Sequence, residues 1–381
     1  MPSGAEPDRA GDSSVISGEP GAPHRLRRRI LLGLCAVFVI ALLGFALVLE
    51  LRKSSDVAKS LGEISPWWLA AVALGSVALV VMTTATTAAP LPELSFTDAL
   101  VAQHASQATG NLIPGPSAMA VRYAILRSYG VGAEDFARAT VTVAMLSTLM
   151  LTTMPLVGIL ALTLAHQDSS DVSSLLPVAI IAALLSVASI AGVVAMLWSP
   201  GFTAAAGRVW TRMLNWFRRR FHRKQGSVEA GGESAIQGRL RLIAGLRDSG
   251  WRVLGFVAAL YWANGLLLVI CLWAAGVPTA ALGLIVGLAV YTLGRLSTLV
   301  QVTPGGIGVV EVAYTAAFTA YLGGRYQAQV LSGVILYRAG TYLLPILVGA
   351  VCGAYWWLTR HRRERESGTI GDGATGGASA G

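Results

Sequence analysis

Apolar runs of 20 or more residues, separated by loops that hold most of the basic residues, recur along almost the whole chain. About 20 apolar residues are enough for a helix to cross the hydrocarbon core of a bilayer. Only 13% of the residues are charged, well below the share of about 25% that is typical of soluble domains. The pattern therefore predicts an all-α polytopic membrane protein.

Six of the runs are predicted to be simple membrane-spanning helices, at 30–50, 65–89, 139–165, 175–198, 251–275 and 328–358. Placing every dense basic cluster in the cytoplasm, as the positive-inside rule requires, leaves one consistent arrangement with both termini cytoplasmic. The transmembrane domain would then be 25–365, with a basic cytoplasmic loop at 199–250. The ends, 1–24 and 366–381, are rich in small and polar residues and are predicted to be disordered.

Two further segments, 96–130 and 281–322, must each begin and end on one side of the membrane in this arrangement. Each contains a proline–glycine pair, at 114–115 and 304–305, where a helix is predicted to break. We interpret them as helix–break–helix hairpins, the first open to the cytoplasm and the second to the outside. Two spans, a broken hairpin and one span would then occur twice in opposite orientations, which is an inverted repeat.

The breaks have a chemical consequence, because backbone groups that leave a helix cannot face lipid. They must pack against protein or line a wet cavity. In "NLIPGPSAMAVR" and in "TPGGIGVVE" the break precedes a new helix start. A helix start presents N–H groups and a partial positive charge, which suit a phosphate or a carboxylate. A purely structural kink is the alternative interpretation.

The stretches "TPGGIGVVEVAYTAAF" and "LSGVILYRAGTYLLPILVGAVCGAYWWL" closely resemble the lysylphosphatidylglycerol synthase transmembrane-region family, also called the flippase-like domain family. Its members carry a proline-glycine-glycine-x-glycine-x-x-glutamate motif and a later tyrosine–arginine pair. The first hairpin resembles the family's proline–glycine break, with an asparagine before it and an arginine after it. The resemblance covers about residues 30–358, and the substrate-binding residues that it implies are Asn111, Pro114, Gly115, Arg122, Pro304, Gly305, Gly306, Gly308, Glu311, Tyr337 and Arg338.

Some positions depart from the family pattern. Pro116 and Met119 stand where the family often has an arginine and an acidic residue, and Val310 stands where it often has an arginine. Part of the polar site is therefore expected to differ from that of other members. No soluble acyltransferase-like domain follows residue 365, so we do not expect this chain to aminoacylate a lipid. What the resemblance implies is the membrane half, which the family associates with moving lipids across the bilayer.

The charged residues inside the predicted spans support two hypotheses. Arg338 lies near the centre of its span, where an ionised side chain costs at least about 3 kcal/mol unless it faces the protein interior. One hypothesis is an ion pair between Arg338 and Glu311. The other is a basic pocket in which Arg122, Arg295 and Arg338 bind a lipid phosphate while Glu311 tunes it, because the guanidinium donor fork suits phosphate.

Two neutral polar residues of the spans have less specific interpretations. We expect His104 to be a packed polar residue rather than a proton relay. We expect Asn264 to pack between helices, by a hydrogen bond, rather than to line a cavity.

Enzyme motifs are missing from the sequence. It contains no phosphate-cradling P-loop, no nucleophile-elbow serine and no histidine–carboxylate metal cluster. We therefore expect no enzymatic activity, no cofactor and no metal. The net charge of +9 comes from basic residues that flank the apolar spans, so it favours membrane lipids, anionic ones in particular, over nucleic acid as partners.

The predicted function follows from these points. The basic residues are mostly arginine, and alanine and glycine are abundant, which favours a bacterial plasma membrane as the location. We predict a flippase-like protein that moves a phosphate-bearing lipid or lipid-linked intermediate between leaflets. The alternatives are a transporter of small anionic solutes and a non-transporting scaffold for an envelope-biosynthesis enzyme.

Overall fold

The computed structural model describes residues 55–112, 117–165, 176–205, 208, 232–299 and 306–374. The chain divides into two units, 1–54 and 55–381, and all the described residues belong to the second. Its principal helices are α1 (Ser55–Gly62), α2 (Pro66–Ala88), α3 (Phe96–Leu112), α4 (Ser117–Ser128), α5 (Ala133–Ala165), α6 (Leu176–Trp198), α7 (Gly232–Ala274), α8 (Leu284–Arg295), α9 (Val309–Leu322), α10 (Gln327–Arg338) and α11 (Leu344–Ala374).

Among the described residues, four helical stretches are long and apolar enough to cross a membrane: Pro66–Ala88, Ala133–Leu164, Ile236–Ala274 and Gln327–Thr359. They coincide with the predicted spans at 65–89, 139–165, 251–275 and 328–358. The predicted span at 175–198 is α6, whose described apolar part, Ala183–Trp198, is shorter. The predicted span at 30–50 lies outside the described residues. The all-α polytopic membrane class is confirmed, and the described part of the chain contains no strand.

Large apolar side chains on the outer faces of these helices are exposed. The exposed fraction of the residue surface is 72% for Leu74, 65% for Leu184 and 70% for Val351. Such a surface would be unfavourable in water, whereas hydrocarbon tails solvate it as well as a protein interior does. The helices therefore turn their large apolar faces outward and their small and polar faces inward, towards one another.

In each predicted hairpin, one helix lies before the break and one lies after it. In the first hairpin α3 and α4 flank residues 113–116. In the second, α8 continues into a 3₁₀ turn, Leu296–Leu299, and α9 follows residues 300–305. The residues of the two breaks themselves, Pro114, Gly115, Pro304 and Gly305, lie outside the described part of the chain.

Gly306 and Gly308 lead into α9 with φ angles of 69° and 84°. These left-handed conformations disfavour side chains and suit glycine. Gly308 is the residue that caps the start of α9. The glycines of the motif thus have a backbone role, because they turn the chain from the break into the helix.

The contacts between helices have a reciprocal pattern. Helix α3 of the first hairpin packs mainly on α11, which closes the second half of the chain. Helix α8 of the second hairpin packs mainly on α5, which closes the first half, and α2 packs on α7. An inverted repeat requires contacts of this kind, although the repeat itself stays a prediction.

Two helices run further than predicted. Helix α7 begins at Gly232, so residues 232–250 of the predicted basic loop are helical. Ion pairs from Arg138 to Asp248 and from Arg241 to Glu134 hold that part of α7 against α5. Helix α11 continues to Ala374 and so includes residues 366–374, for which the composition predicts disorder. Once a span has formed, extending its helix is much easier than starting a new one.

Helices α7 and α10 approach closely at Gly333. A Cβ atom added there would lie 2.8 Å from the Cα atom of Leu272. We expect Gly333→Ala to lower the free energy of unfolding in detergent by about 2 kcal/mol, because overpacking forces the helices apart. Gly238→Ala on α7 is the control. No described atom lies within 4 Å of its added Cβ, so it should raise stability by about 0.5–1 kcal/mol. Equal effects of the two substitutions would contradict the close contact.

Candidate functional site

A cavity of about 440 Å³ lies where the two halves of the chain meet. Helices α2, α3, α5, α7, α9 and α10 line it, as do the end of α8 and the π-helical segment Ala339–Leu343 that joins α10 to α11. The charged and strongly polar side chains among its lining residues are His104, Gln107, Asn111, Asn264, Arg295 and Arg338. The cavity is therefore polar although the helices around it are apolar on their outer faces.

The ion pair between Arg338 and Glu311 is present. Nε of Arg338 donates to Oε1 of Glu311 at 2.7 Å, and both side chains are largely buried, with 15% and 23% of their surface exposed. The other oxygen, Oε2, accepts the N–H group of Gly308 at 2.8 Å. Glu311 therefore caps the start of α9 and binds α10 at the same time. The guanidinium of Arg338 also lies over the ring of Tyr342, 4.8 Å from its centroid.

Arg295, at the end of α8, is in a different environment. Its guanidinium carbon lies 5.2 Å from the centroid of the Tyr261 ring. Nε is buried and makes no hydrogen bond within the described part of the chain. No carboxylate among the described residues lies within ion-pair distance of it, and the ring of Tyr261 is a group that stabilises this cation. An uncompensated cation in a membrane-embedded cavity attracts an anion.

Three buried tyrosines pack beside the cavity, and one of them, Tyr337, also lines it. The rings of Tyr291 and Tyr314 are stacked with centroids 5.8 Å apart, and Tyr337 meets Tyr314 edge-on at 5.9 Å. The hydroxyl of Tyr337 donates to Oδ1 of Asn264 at 3.1 Å. The hydroxyl of Tyr291 is buried and makes no hydrogen bond to a described residue. The cluster packs α8, α9 and α10 together around Arg295.

The family model of the lysylphosphatidylglycerol synthase transmembrane region matches residues 30–349. The chain belongs to this family. It is also similar to a UPF0104 membrane protein of Methanothermobacter thermautotrophicus, with 32% identity over 107 residues. The match covers 27% of this chain and 29% of that protein, so it spans less than a third of the curated relative's length. The family and the helices together make this a multi-pass membrane protein.

The family's motif residues have separate places in the structure. Asn111, Tyr337 and Arg338 line the cavity, as does Arg295. Glu311 binds Arg338 but is not itself a lining residue, while Gly306 and Gly308 turn the backbone before α9. That these residues bind a substrate stays a prediction.

Arg122 is not one of the residues that line the cavity. Its Nε donates to the hydroxyl of Ser106 at 3.1 Å, which links α4 to α3 within the first hairpin. The structure therefore brings two of the three arginines of the predicted basic pocket to the cavity. A role for Arg122 in substrate binding stays a prediction.

His104 and Asn264 both line the cavity, in addition to packing. Nε2 of His104 lies 3.1 Å from the hydroxyl of Thr84 and 3.2 Å from the carbonyl of Val80. Asn264 forms the expected hydrogen bond between helices and also lines the cavity, which was the alternative. It donates to the carbonyl of Leu260 at 2.8 Å and accepts from Tyr337.

Sequence reasoning missed Gln107, which lines the cavity between His104 and Asn111. A signal was present, because the three residues are spaced three and four apart and so share one face of α3. The π-helical segment that follows Arg338 had no such signal. Segments of this kind often occur at functional sites, and this one lies against the cavity.

The bond between Tyr337 and Asn264 can be tested by removing one hydroxyl. We expect Tyr337→Phe to lower the free energy of unfolding by about 1 kcal/mol, because the amide oxygen of Asn264 loses its donor. Tyr291→Phe is the matched control: its hydroxyl is without a partner in the described residues, so the loss should be close to zero. Unfolding of both variants in the same detergent measures the difference. A larger loss in Tyr291→Phe would contradict this.

Proposed function

We propose that this membrane protein moves a phosphate-bearing lipid, or a lipid-linked intermediate, between the leaflets of a bilayer. The observation that carries the proposal is Arg295, a cation on the cavity wall that has no carboxylate partner in the part of the chain described. A phosphate that enters the cavity would supply the missing negative charge. Arginine suits this role because its donors match the oxygens of a phosphate.

The size of the cavity supports a headgroup as the part of the lipid that is bound. About 440 Å³ lies within the usual range of ligand pockets, about 300–1,000 Å³. Crossing the hydrocarbon core is costly for the charged headgroup and cheap for the acyl chains. The protein therefore needs to enclose only the headgroup, while the chains remain in the bilayer.

The arrangement of the hairpins supports movement between two sides. In an inverted repeat, paired broken helices meet at a site near the membrane midplane, and each half can open to one side. The reciprocal contacts of α3 with α11 and of α8 with α5 agree with such a repeat. In this proposal the protein lies in a bacterial plasma membrane with both termini in the cytoplasm.

Reconstitution of the purified protein into liposomes tests the proposal. A phospholipid with a fluorescent headgroup is placed in both leaflets, and a reducing agent that cannot cross the bilayer bleaches the outer one. Without the protein about half of the fluorescence should persist, and with it nearly all should be lost, because exchange brings the inner lipids outward. Uptake of a small anion without lipid exchange would favour the solute transporter. The absence of both would favour the scaffold.

A further inference from the structure

We propose that Glu311 is a specificity-determining residue that limits the cavity to anions with a single negative charge. The inference rests on the proposed function, since it concerns the same anion site. It predicts that a phosphodiester headgroup, which has one negative charge, binds in preference to a phosphomonoester, which has two.

The charges on the cavity wall carry the argument. Of the described residues that line the cavity, Arg295 and Arg338 are the ones that are always cationic. Arg338 is neutralised by Glu311 at 2.7 Å, whereas Arg295 has no acidic partner in the described ranges. The two arginines and Glu311 therefore give the wall a net charge of about +1 when histidine is neutral. A monoanion makes the loaded cavity neutral, and a second negative charge would be left uncompensated at low dielectric.

Glu311 is held too firmly for an incoming anion to displace it easily. One carboxylate oxygen accepts from Arg338 and the other accepts from the N–H group of Gly308. The carboxylate also lies in the first turn of α9, where the helix dipole stabilises a negative charge. A dianion could bind both Arg295 and Arg338 only by competing with all of these interactions of Glu311.

Other charged or titratable groups around Glu311 are accounted for. Arg338 faces it from α10 and Tyr342 from the π-helical segment, and Arg295 lies at the end of α8, on which α9 packs. His104 lines the cavity from α3 and would add a charge if it were protonated. At pH 9 histidine is neutral, so the charge of the wall depends on the two arginines and Glu311.

The experiment compares two short-chain lipids at pH 9. Dihexanoyl phosphatidylglycerol has one negative charge and dihexanoyl phosphatidate has two, on the same acyl chains. Calorimetric titration of the protein in detergent gives both dissociation constants. The wild type should bind phosphatidylglycerol more tightly. In Glu311→Gln the dissociation constant of phosphatidate should fall at least tenfold relative to that of phosphatidylglycerol, because Arg338 then contributes its charge.

Two further variants separate charge from structure. The double variant Arg338→Met/Glu311→Leu keeps the net charge of the wall, so its ratio should be that of the wild type, and a shifted ratio would overturn the inference. If Glu311→Gln does not fold, the preference of the wild type for phosphatidylglycerol is the test, and a preference for phosphatidate would overturn the inference. Glu134→Gln removes an ion pair with Arg241 of 2.8 Å outside the cavity. Its ratio should also be unchanged, although it loses a carboxylate between two helices.

Each result has a distinct meaning. Binding of both lipids with an unchanged ratio in Glu311→Gln would overturn the inference and leave the proposed function standing. Failure of the wild type to bind either lipid would remove the proposed function, and the inference falls with it if sulfate and methyl sulfate do not bind either. Sulfate and methyl sulfate, a dianion and a monoanion without acyl chains, form the second pair of probes. If they bind and the lipids do not, a shifted ratio would support the charge limit in a solute transporter.

Discussion

Replacing Arg295 with glutamine is expected to slow lipid exchange in proteoliposomes by about tenfold to a hundredfold. A hydrogen bond to a charged group contributes about 1.5–3 kcal/mol, and each 1.4 kcal/mol is about a factor of ten. Arg295 is the cavity arginine without an acidic partner in the described segments, so its loss removes the charge that attracts the phosphate. The bleaching assay on matched amounts of reconstituted protein measures the rate.

The same substitution should not lower stability, and this separates function from folding. A cation with no counter-ion inside a membrane protein is itself costly. The ring of Tyr261 offsets part of that cost, by about 0.5–1 kcal/mol. Arg247→Gln, which changes an exposed arginine on α7, is the control and should leave the exchange rate unchanged. A normal rate in Arg295→Gln would remove the phosphate site from this position.

Replacing Arg338 with methionine is expected to lower the free energy of unfolding by about 3 kcal/mol. The substitution leaves the carboxylate of Glu311 largely buried and without its guanidinium partner, and breaking a buried ion pair in this way costs about 3–5 kcal/mol. Reversible unfolding in mixed micelles measures the change. The partial exposure of the two side chains, 15% and 23%, places the expected value at the low end of this range.

The double variant Arg338→Met/Glu311→Leu should recover most of that loss. Two apolar side chains leave no buried charge, so the remaining cost is the cap on the N–H group of Gly308, about 1 kcal/mol. A double-mutant cycle with Glu311→Leu gives the coupling energy. If the double variant is as unstable as the sum of the two single ones, the pair is not a coupled structural unit.

Most of the fold could be predicted from the sequence because a bilayer restricts the choices. A span must be a helix of about 20 apolar residues, so the five predicted spans that fall in the described residues lie on α2, α5, α6, α7 and the pair α10–α11. A proline–glycine pair interrupts a helix, so a helix was expected before and after each pair, and α3, α4, α8 and α9 occupy these places. Residues 232–250 of α7 and 366–374 of α11 carried no such signal, because they contain no long apolar run.

Part of the site was also predictable. A charge buried in a membrane protein is costly without a partner, and on that ground the pair of Glu311 with Arg338 was one of two hypotheses; the structure contains the pair. Position in the chain could not show which arginines would lie on the wall of the cavity. Arg122 and Arg295 look alike in sequence, yet the first bonds Ser106 away from the cavity and the second lies on its wall.

The amino-acid sequence by itself determined the class of the protein, the spans within its described residues and its family motif, because these depend on local composition and on neighbours along the chain. The tertiary structure alone decided that residues from α2, α3, α7, α8 and α10 surround one cavity, and that one of its arginines is neutralised while the other is not. The physical reason is that charge compensation depends on distances between helices, and helices far apart in sequence set those distances by how closely their small residues let them pack.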